Sequence, residues 1–144
     1  MKFKNIRDAH VASTSTCRVE FPEIDGVERE DGGYVTPWLE IRPAGEMNSA
    51  FMNVELKKVS ATVAKGRLTT DDTSQERRES VSNYARHILT GNGGGWVSDE
   101  SGEEVPMPLS VEDREALLRA LSGDTPDLYD RIRVKANDLR NFRR

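Results

Sequence analysis

The residues best suited to chemistry are two histidines and a cysteine. His10, His87 and Cys17 are the only residues of these types in the chain. Imidazole and thiolate groups bind zinc, and a thiolate beside a base is a nucleophile. The paired spacing of a zinc site is missing, however, and no recognisable signature flanks Cys17. We therefore predict no metal site, no cofactor and no catalytic residue, with Cys17 a small buried side chain.

Adjacent acidic residues and a glycine-rich segment are the next candidates. The pair Glu112 and Asp113 precedes an apolar helical pattern, where acidic side chains stabilise a helix N-terminus rather than converge on a substrate. Residues 91–95 include four glycines, but the Lys-Ser or Lys-Thr pair that completes a phosphate-binding loop does not follow them. We interpret the segment as a flexible connection between a helix and a hairpin.

The basic segment 135–144 is the strongest nucleic-acid candidate. It contains Arg140, Arg143 and Arg144, whereas the net charge of the whole chain is -4. Binding to a polyanion needs a concentrated basic surface. Cations near a helix C-terminus also stabilise the helix dipole. We favour this second interpretation and expect no nucleic-acid partner.

Composition indicates one small domain with a lean core. The chain has 144 residues, of which 35% are hydrophobic and 32% are charged, and typical soluble domains are roughly 45–50% apolar. One cysteine permits no internal disulfide, which suits a reducing compartment. We find no signal-peptide pattern and no apolar run near the roughly 20 residues of a membrane span, so we expect no membrane contact.

Hydrophobic spacing predicts an α+β fold that is rich in helices, with an N-terminal β-hairpin and a short central hairpin. We expect residues 1–15 to form a flexible, extended arm and residues 16–144 a single domain. Two strands alone are marginal in water, so helices must cover one face of the first hairpin. Strands are predicted at 16–21 and 34–42, and the central hairpin at 96–106. Polar connections are predicted at 22–33 and 67–75. Helices are predicted at 46–64, 74–89, 110–121 and from 126 toward 142.

The ends and faces of the predicted helices carry their own signals. Ser110 is expected to cap one helix, with Asp113 three residues on, and Gly123 to end it. Thr125 is expected to cap the last helix, with Pro126 at its first position. Two stripes are predicted to face the core: Val81, Tyr84, Ala85, Ile88 and Leu89 on one helix, and Ala116, Leu117, Ala120 and Leu121 on the next.

Trp38 and Trp96 lie on the two candidate hairpins. Tryptophan is enriched at the centres of protein interfaces. In a lean core, however, it is also the main packing residue. Both interpretations stay open for each of the two side chains.

An ordered set of short motifs occupies the second half of the chain. In order, these are 84–89, 95–97, 99–102, 105–108, 110–118 and 141–142. These motifs correspond, in order, to a helix, a Gly-Trp hairpin whose second strand carries Val-Pro, a capped leucine-rich helix and a closing Asn-Phe pair. This order resembles tail assembly chaperones and related small tail-region proteins of long-tailed bacteriophages, over residues 83–144. Met107 and Pro108 stand where phenylalanine is more usual, and the glycine insert before Trp96 is longer.

The resemblance implies a non-enzymatic protein that binds other proteins of the phage tail. Its partner would be the tape-measure protein or the tail tube subunit, whose apolar helices it would keep soluble until the tube polymerises. It would act in the cytoplasm of the infected host, and a homo-oligomer is a further option. The candidate protein-binding side chains are Trp38, Phe51, Trp96, Leu128, Ile132 and Phe142.

Two alternatives differ from a chaperone in where the protein ends up or what it binds. A structural component of the tail or neck would remain in the virion. A regulator that binds nucleic acid through Arg140, Arg143 and Arg144 would lose affinity steeply with salt. An enzyme, the class we expect least, would lose its activity on replacement of Cys17 or His87.

Overall fold

Helices and one small antiparallel sheet make up the described parts of the chain. The computed structural model describes residues 3–12, 14–65, 70–93, 95–105 and 108–143, without the side chains of 62–65 and 70–73. The predicted α+β class is confirmed. The elements in chain order are α1 (Lys4–Asp8), β1 (Cys17–Glu20), β2 (Trp38–Ile41), α2 (Ser49–Lys65), α3 (Thr70–His87), β3 (Leu89–Gly93), α4 (Val111–Asp124), α5 (Pro126–Asn137) and a 3₁₀ helix (Leu139–Phe142).

Strands β1 and β2 form the predicted N-terminal hairpin. They are antiparallel, with Cys17 opposite Ile41 and Val19 opposite Leu39. Because side chains alternate across a strand, these residues share the inner face of the sheet. Val19, Leu39 and Ile41 are buried there in one cluster with helical side chains. The residues between them lie on the opposite, outer face.

Strand β3 occupies a position where the sequence pattern predicts a helix end and a flexible connection. It pairs with β2, so that Gly93 lies opposite Trp38 and Gly91 opposite Glu40. The prediction for 91–95 is therefore wrong as far as Gly93. Glycine has a low intrinsic preference for strands, but here it makes room for the larger side chains of β2. A Cβ atom on Gly93 would overlap the Trp38 ring.

The two long helices differ from their predicted limits. Helix α2 begins at Ser49 and α3 at Thr70, so the predicted connection 67–75 is wrong from Thr70 onward, while 66–69 lie outside the described residues. The first part of α3 is rich in Gln, Glu and Arg, which are good helix formers. Residues 74–79 are exposed, so this part of α3 needs no apolar stripe.

The core contains the stripe predicted for the helix 74–89 and the aromatic residues packed on it. Helix α3 itself ends at His87, so the last two residues of the stripe follow the helix. Val81, Ala85, Ile88 and Leu89 are buried, as expected from their spacing. Tyr84 is central, because its ring lies 5.2 Å from that of Phe51 and 6.1 Å from that of Tyr129, both edge to face. Such pairs are favourable beyond the area they bury.

The predictions for α4 were correct at its start and for the core-facing residues Leu117 and Leu121, and wrong for its end and for Ala116 and Ala120. The hydroxyl of Ser110 accepts a hydrogen bond from the backbone N–H of Asp113 at 3.2 Å, as predicted for a cap. Gly123 does not end the helix, which continues to Asp124. The buried face of α4 is rotated slightly about the helix axis from the predicted one. Leu118 and Leu121 are buried and Leu117 is half-buried, whereas Ala116 and Ala120 are exposed.

Thr125 precedes α5 as predicted but does not cap it with its side chain. Its hydroxyl instead donates to the Leu121 carbonyl of the preceding helix at 3.2 Å. Pro126 occupies the first turn, as expected. The predicted continuation toward Phe142 is interrupted after Asn137, and a 3₁₀ turn carries the chain onward.

Residues 3–12 contain a short helix where an extended arm is predicted. Helix α1 has five residues, none of them buried. Val11, by contrast, belongs to the buried core and attaches the segment to the rest of the chain. The division into a flexible arm at 1–15 and a domain at 16–144 stays a prediction.

Residues 96–105 form the predicted central hairpin. Val97 pairs with Glu104 in an antiparallel bridge, and the N–H of Val105 donates to the Trp96 carbonyl at 2.7 Å. Gly102 makes the turn with a φ of 69°, a conformation that glycine adopts without steric cost. Residue 106, the predicted end of the hairpin, lies outside the described residues.

One buried side chain, that of Asn48, links the sheet to two helices. Its Nδ2 donates to the carbonyls of Pro43 at 3.1 Å and His87 at 2.8 Å. Its Oδ1 accepts from the N–H of Phe51 at 3.3 Å, which is the pattern of a helix N-cap at the start of α2. The chain leaving β2, the start of α2 and the end of α3 are therefore held together by one amide.

Replacing Asn48 by alanine is expected to lower the free energy of unfolding by about 2–3 kcal/mol, because a cap is lost and buried carbonyls lose their donor. Urea denaturation measures the change. Asn53→Ala, at an exposed position of α2, is the matched control and should stay within about 0.5 kcal/mol of the wild type. Equal midpoints for the two variants would contradict the linking role of Asn48.

Replacing Gly93 by alanine is expected to cost about 1–3 kcal/mol, because the added methyl group overlaps the Trp38 ring and forces it to move. Gly123→Ala is the control, since no atom lies within 4 Å of the added methyl group. That change should stabilise the helix by about 0.5–1 kcal/mol. Thermal unfolding followed by circular dichroism compares the two, and a Gly93→Ala protein as stable as the wild type would refute the packing argument.

Candidate protein-binding surface

The predicted binding residues lie mostly inside the molecule. The side chains of Phe51, Trp96, Leu128, Ile132 and Phe142 are buried in the core, and Trp38 alone among the candidates is partly accessible. A covered side chain offers a partner no area, so the five buried candidates are core residues in this structure. Partner contact at these residues stays a prediction that would first require them to be uncovered.

Trp96 is buried because it closes one end of the sheet. Its ring lies 5.7 Å from that of Phe21, edge to face. Its Nε1–H donates to the backbone carbonyl of Trp38 at 3.1 Å. A buried indole normally finds such a partner, so the packing interpretation of Trp96 accounts for all of its contacts here.

Trp38 lies on the outer face of the sheet, between a cation and a glycine. The guanidinium carbon of Arg18 lies 3.8 Å from the centre of its ring, which is a close cation–π contact. Gly93 on the neighbouring strand leaves room for the same ring. The indole therefore shields the β3 backbone, and only part of it remains accessible.

The apolar surface that a partner can reach lies on α2. Leu56 and Val59 are 58% and 60% exposed, and the half-buried Met52 continues their line. Positions separated by four and three residues lie on one side of a helix. We call Met52, Leu56 and Val59 the α2 stripe.

The α2 stripe was not predicted from the sequence, because α2 carries two apolar faces. Phe51 and Val54 follow the spacing that turns toward the core, and Phe51 is buried there. Leu56 and Val59 do not fit that spacing. Their own periodicity, which Val63 continues in the sequence, is the signal of a second apolar face; the side chain of Val63 lies outside the described residues.

A cleft of about 450 Å³ adjoins the α2 stripe, with Met52 in its lining. Tyr84, Arg133 and Asn137 line it from α3 and α5. The Asn137 Nδ2 donates to the Tyr84 hydroxyl at 3.2 Å. The cleft thus places polar groups beside an apolar helix face, which is how binding grooves fix the orientation of a ligand.

Two of the three charged residues that line the cleft, Glu55 and Arg133, have internal contacts, and the third is Glu46. Glu55 accepts hydrogen bonds from Asn83 Nδ2 at 2.8 Å and from Lys58 Nζ at 3.1 Å. Arg133 contacts Asp130 at 3.4 Å, with about half of its side chain exposed (52%). An exposed pair of this kind contributes little to stability, so Arg133 is available to pair with an acidic group of a partner.

Burial is the main cause of the pKa shifts of Tyr84 and Cys17. Burial raises the pKa of the Tyr84 hydroxyl, so it stays protonated as a hydrogen-bonding group. Burial also raises the pKa of the Cys17 thiol, an effect that Lys135 opposes and Glu40 reinforces. A raised pKa disfavours the thiolate that a nucleophile needs. Among the described residues, no group of three or more His, Cys, Asp or Glu side chains could hold a metal ion.

Two basic side chains of α5, those of Arg131 and Lys135, bind carbonyls along the free edge of β1. Lys135 Nζ donates to the Arg18 carbonyl at 2.6 Å. Arg131 Nη1 donates to the Glu20 carbonyl at 3.1 Å, and its guanidinium binds both carboxylate oxygens of Glu23 at 2.6 and 2.8 Å. Covering an edge strand in this way prevents it from pairing with another chain.

The nucleic-acid candidate Arg140 also has an internal partner. Its guanidinium contacts the Asp138 carboxylate through two nitrogens, at 3.0 and 2.8 Å. Contacts between Arg140 and a phosphate would have to compete with this bidentate pair. Arg143 is exposed, and Arg144 lies outside the described residues.

Comparisons with protein-family models, curated proteins and solved structures find no match for this chain. The resemblance to phage tail-region proteins, based on the order of motifs, therefore stays a prediction. Within the described parts of the chain, no helix has both the length and the apolar character to cross a membrane. The feature that bears on function is the α2 stripe with its adjoining cleft.

The Arg131–Glu23 pair predicts how stability changes with pH. Hydrogen bonding from Arg131 lowers the pKa of Glu23 from 4.5 to about 2. A lowered carboxylate pKa stabilises the fold above the unfolded value, and the effect is lost as pH falls toward the folded value. Glu23→Gln should therefore lower Tm at neutral pH, with the difference from the wild type shrinking between pH 4.5 and about 2.

Thermal unfolding across this pH range measures the effect, with Glu30→Gln as the control. Glu30 is exposed in the same loop and forms no ion pair within the described residues. A Tm difference between wild type and Glu23→Gln that stays constant down to the lowest pH would rule out the ion pair as its source.

Proposed function

We propose that this protein is a non-enzymatic binding factor in phage tail assembly, which holds an apolar helix of the tape-measure or tail tube protein against the α2 stripe. The observation that carries the proposal is the exposure of Leu56 and Val59 on one side of α2. Two large apolar side chains in helical register, beside a polar cleft, are what an amphipathic helix needs for docking. The motif order in residues 83–144 supports the choice of a phage tail partner.

Physical magnitudes support a helical partner at this surface. Covering an exposed Leu or Val side chain completely contributes roughly 1.5–3 kcal/mol. Leu56 and Val59 can therefore provide a useful part of the free energy of a modest complex. Arg133 in the adjacent cleft would favour a partner helix that carries an acidic residue beside its apolar face.

A structural role in the tail or neck uses the same surface but has a different outcome. A chaperone releases its partner before the particle matures, whereas a virion component stays bound. The distinction lies in the location of the protein, so mass spectrometry of purified particles separates the two. Near-stoichiometric presence in particles would favour the structural role, and absence combined with a complex in infected-cell lysate would favour the chaperone.

Replacing Leu56 and Val59 together by serine should weaken binding to the purified tape-measure or tube protein by at least about tenfold, because the partner then loses its apolar contacts. Isothermal titration calorimetry measures the affinity. Val134→Ser is the matched control, because Val134 is 70% exposed on α5 and belongs neither to the α2 stripe nor to the lining of its cleft. Equal affinity of both variants, or no binding of either tail protein by the wild type, would refute the proposal.

A further inference from the structure

We propose that residues 3–8 of one copy of this chain dock on residues 24–35 of a second copy. We call residues 3–8 the arm and residues 24–35 the acidic lobe. This inference concerns self-association and does not rest on the proposed binding of a tail protein. It follows from two surfaces of opposite charge, each with exposed apolar side chains.

The arm shows apolar side chains that its own chain does not cover. Phe3 is 56% exposed and Ile6 is 66% exposed. Phe3 is the extended N-cap residue just before α1 and Ile6 lies within the helix, so both exposed side chains belong to the same short segment. None of the residues of α1 is buried, so the arm is not docked on its own body.

The arm is nevertheless held at its base. Val11 is 7% exposed and belongs to the core cluster. The N–H of Ala12 donates to the Ser15 hydroxyl at 3.2 Å, which fixes the chain just after the arm. An arm that starts from a fixed point reaches a second copy with a smaller loss of entropy than a free peptide would.

The arm is basic in character. Lys4 and Arg7 are exposed on α1, against a single acid, Asp8. The contact of Arg7 with Asp8 is 3.8 Å long, between side chains that are 74% and 57% exposed. An ion pair this open contributes little, and both cations can meet an acidic surface.

The acidic lobe is a folded ribbon rather than a loose loop. Glu28 and Tyr34 form an antiparallel bridge, and the N–H of Val35 donates to the Val27 carbonyl at 3.0 Å. The lobe exposes 48% of Tyr34 and 36% of Val35. It therefore offers apolar contact area on a defined backbone.

The lobe also carries unpaired negative charge. Asp25, Glu28 and Glu30 are exposed, and none of them forms an ion pair within the described parts of the chain. The charge of Asp31 is compensated by Arg29 at 3.6 Å. The arm and the lobe are thus complementary in apolar area and in charge. Both expose apolar side chains, and the arm is basic whereas the lobe is acidic.

An arm-to-lobe contact joins two different patches, so it is heterologous. Such contacts either close, as reciprocal exchange in a dimer or as a ring, or continue as an open chain. Because the charges are solvent-exposed, the association should weaken as salt screens them. Charge reversal on one patch should weaken it further, and reversal on both patches should restore it.

Sedimentation velocity over a range of protein concentrations tests the contact with two variants of the full chain. The arm variant carries Lys4→Glu and Arg7→Glu, and the lobe variant carries Glu28→Lys and Glu30→Lys. We expect each variant alone to associate at least about tenfold more weakly than the wild type. An equimolar mixture of the two should associate nearly as well as the wild type, because each reversed patch then meets an opposite charge.

Controls separate this contact from general charge effects and from the α2 stripe. A Lys57→Glu, Arg78→Glu variant changes the net charge by the same amount as the arm variant, but at exposed helical positions outside both patches. It should leave the association intact. The Leu56→Ser, Val59→Ser variant should also still associate, so failure of the proposed tail-protein binding would not remove it. A wild-type protein that stays monomeric, variants that associate normally, or a mixture that fails to recover would each overturn the proposal.

Discussion

The amide of Asn48 is the contact on which the arrangement of sheet and helices depends. It is nearly buried, at 7% exposure, and its donor and acceptor atoms are all used: two carbonyls accept from it and one N–H donates to it. A buried amide is costly unless it is satisfied in this way. Because Asn48 orients the start of α2 relative to the end of α3, it also determines which side of α2 faces the core and which side remains exposed.

The rest of the sheet is closed against further pairing. On the outer face, Trp38 covers the glycine backbone of β3 while Arg18 lies over its ring. Along the edge of β1, cations from α5 bind the free carbonyls. These contacts use Arg18, Arg131 and Lys135 within the molecule, whereas composition alone would leave them free for a polyanion.

The accessible surfaces are therefore those that the fold leaves uncovered. The α2 stripe offers apolar area beside a polar cleft, which suits a helix of another protein. The arm and the acidic lobe offer opposite charges, which suit a second copy of the chain. Because the two proposals use different residues, they can hold independently, and binding of a tail protein need not compete with self-association.

The sequence by itself determined features that depend on near neighbours along the chain. Helical spacing identified the buried side of α3, including Val81 and Tyr84, and the hydroxyl of Ser110 marked the start of α4. Alternation along β1 and β2 was enough to predict their hairpin. These predictions succeeded because periodicity and capping are local properties.

Tertiary structure decided which of the apolar residues remain at the surface. Trp96 and Phe142 are buried only because distant segments pack on them, and Leu56 is exposed because nothing described in the structure covers its side of α2. Strand β3 forms because Gly93 accommodates the ring of Trp38, a residue far away in the chain. Burial and strand pairing are set by non-local contacts, so neither can be deduced from a local pattern of residues.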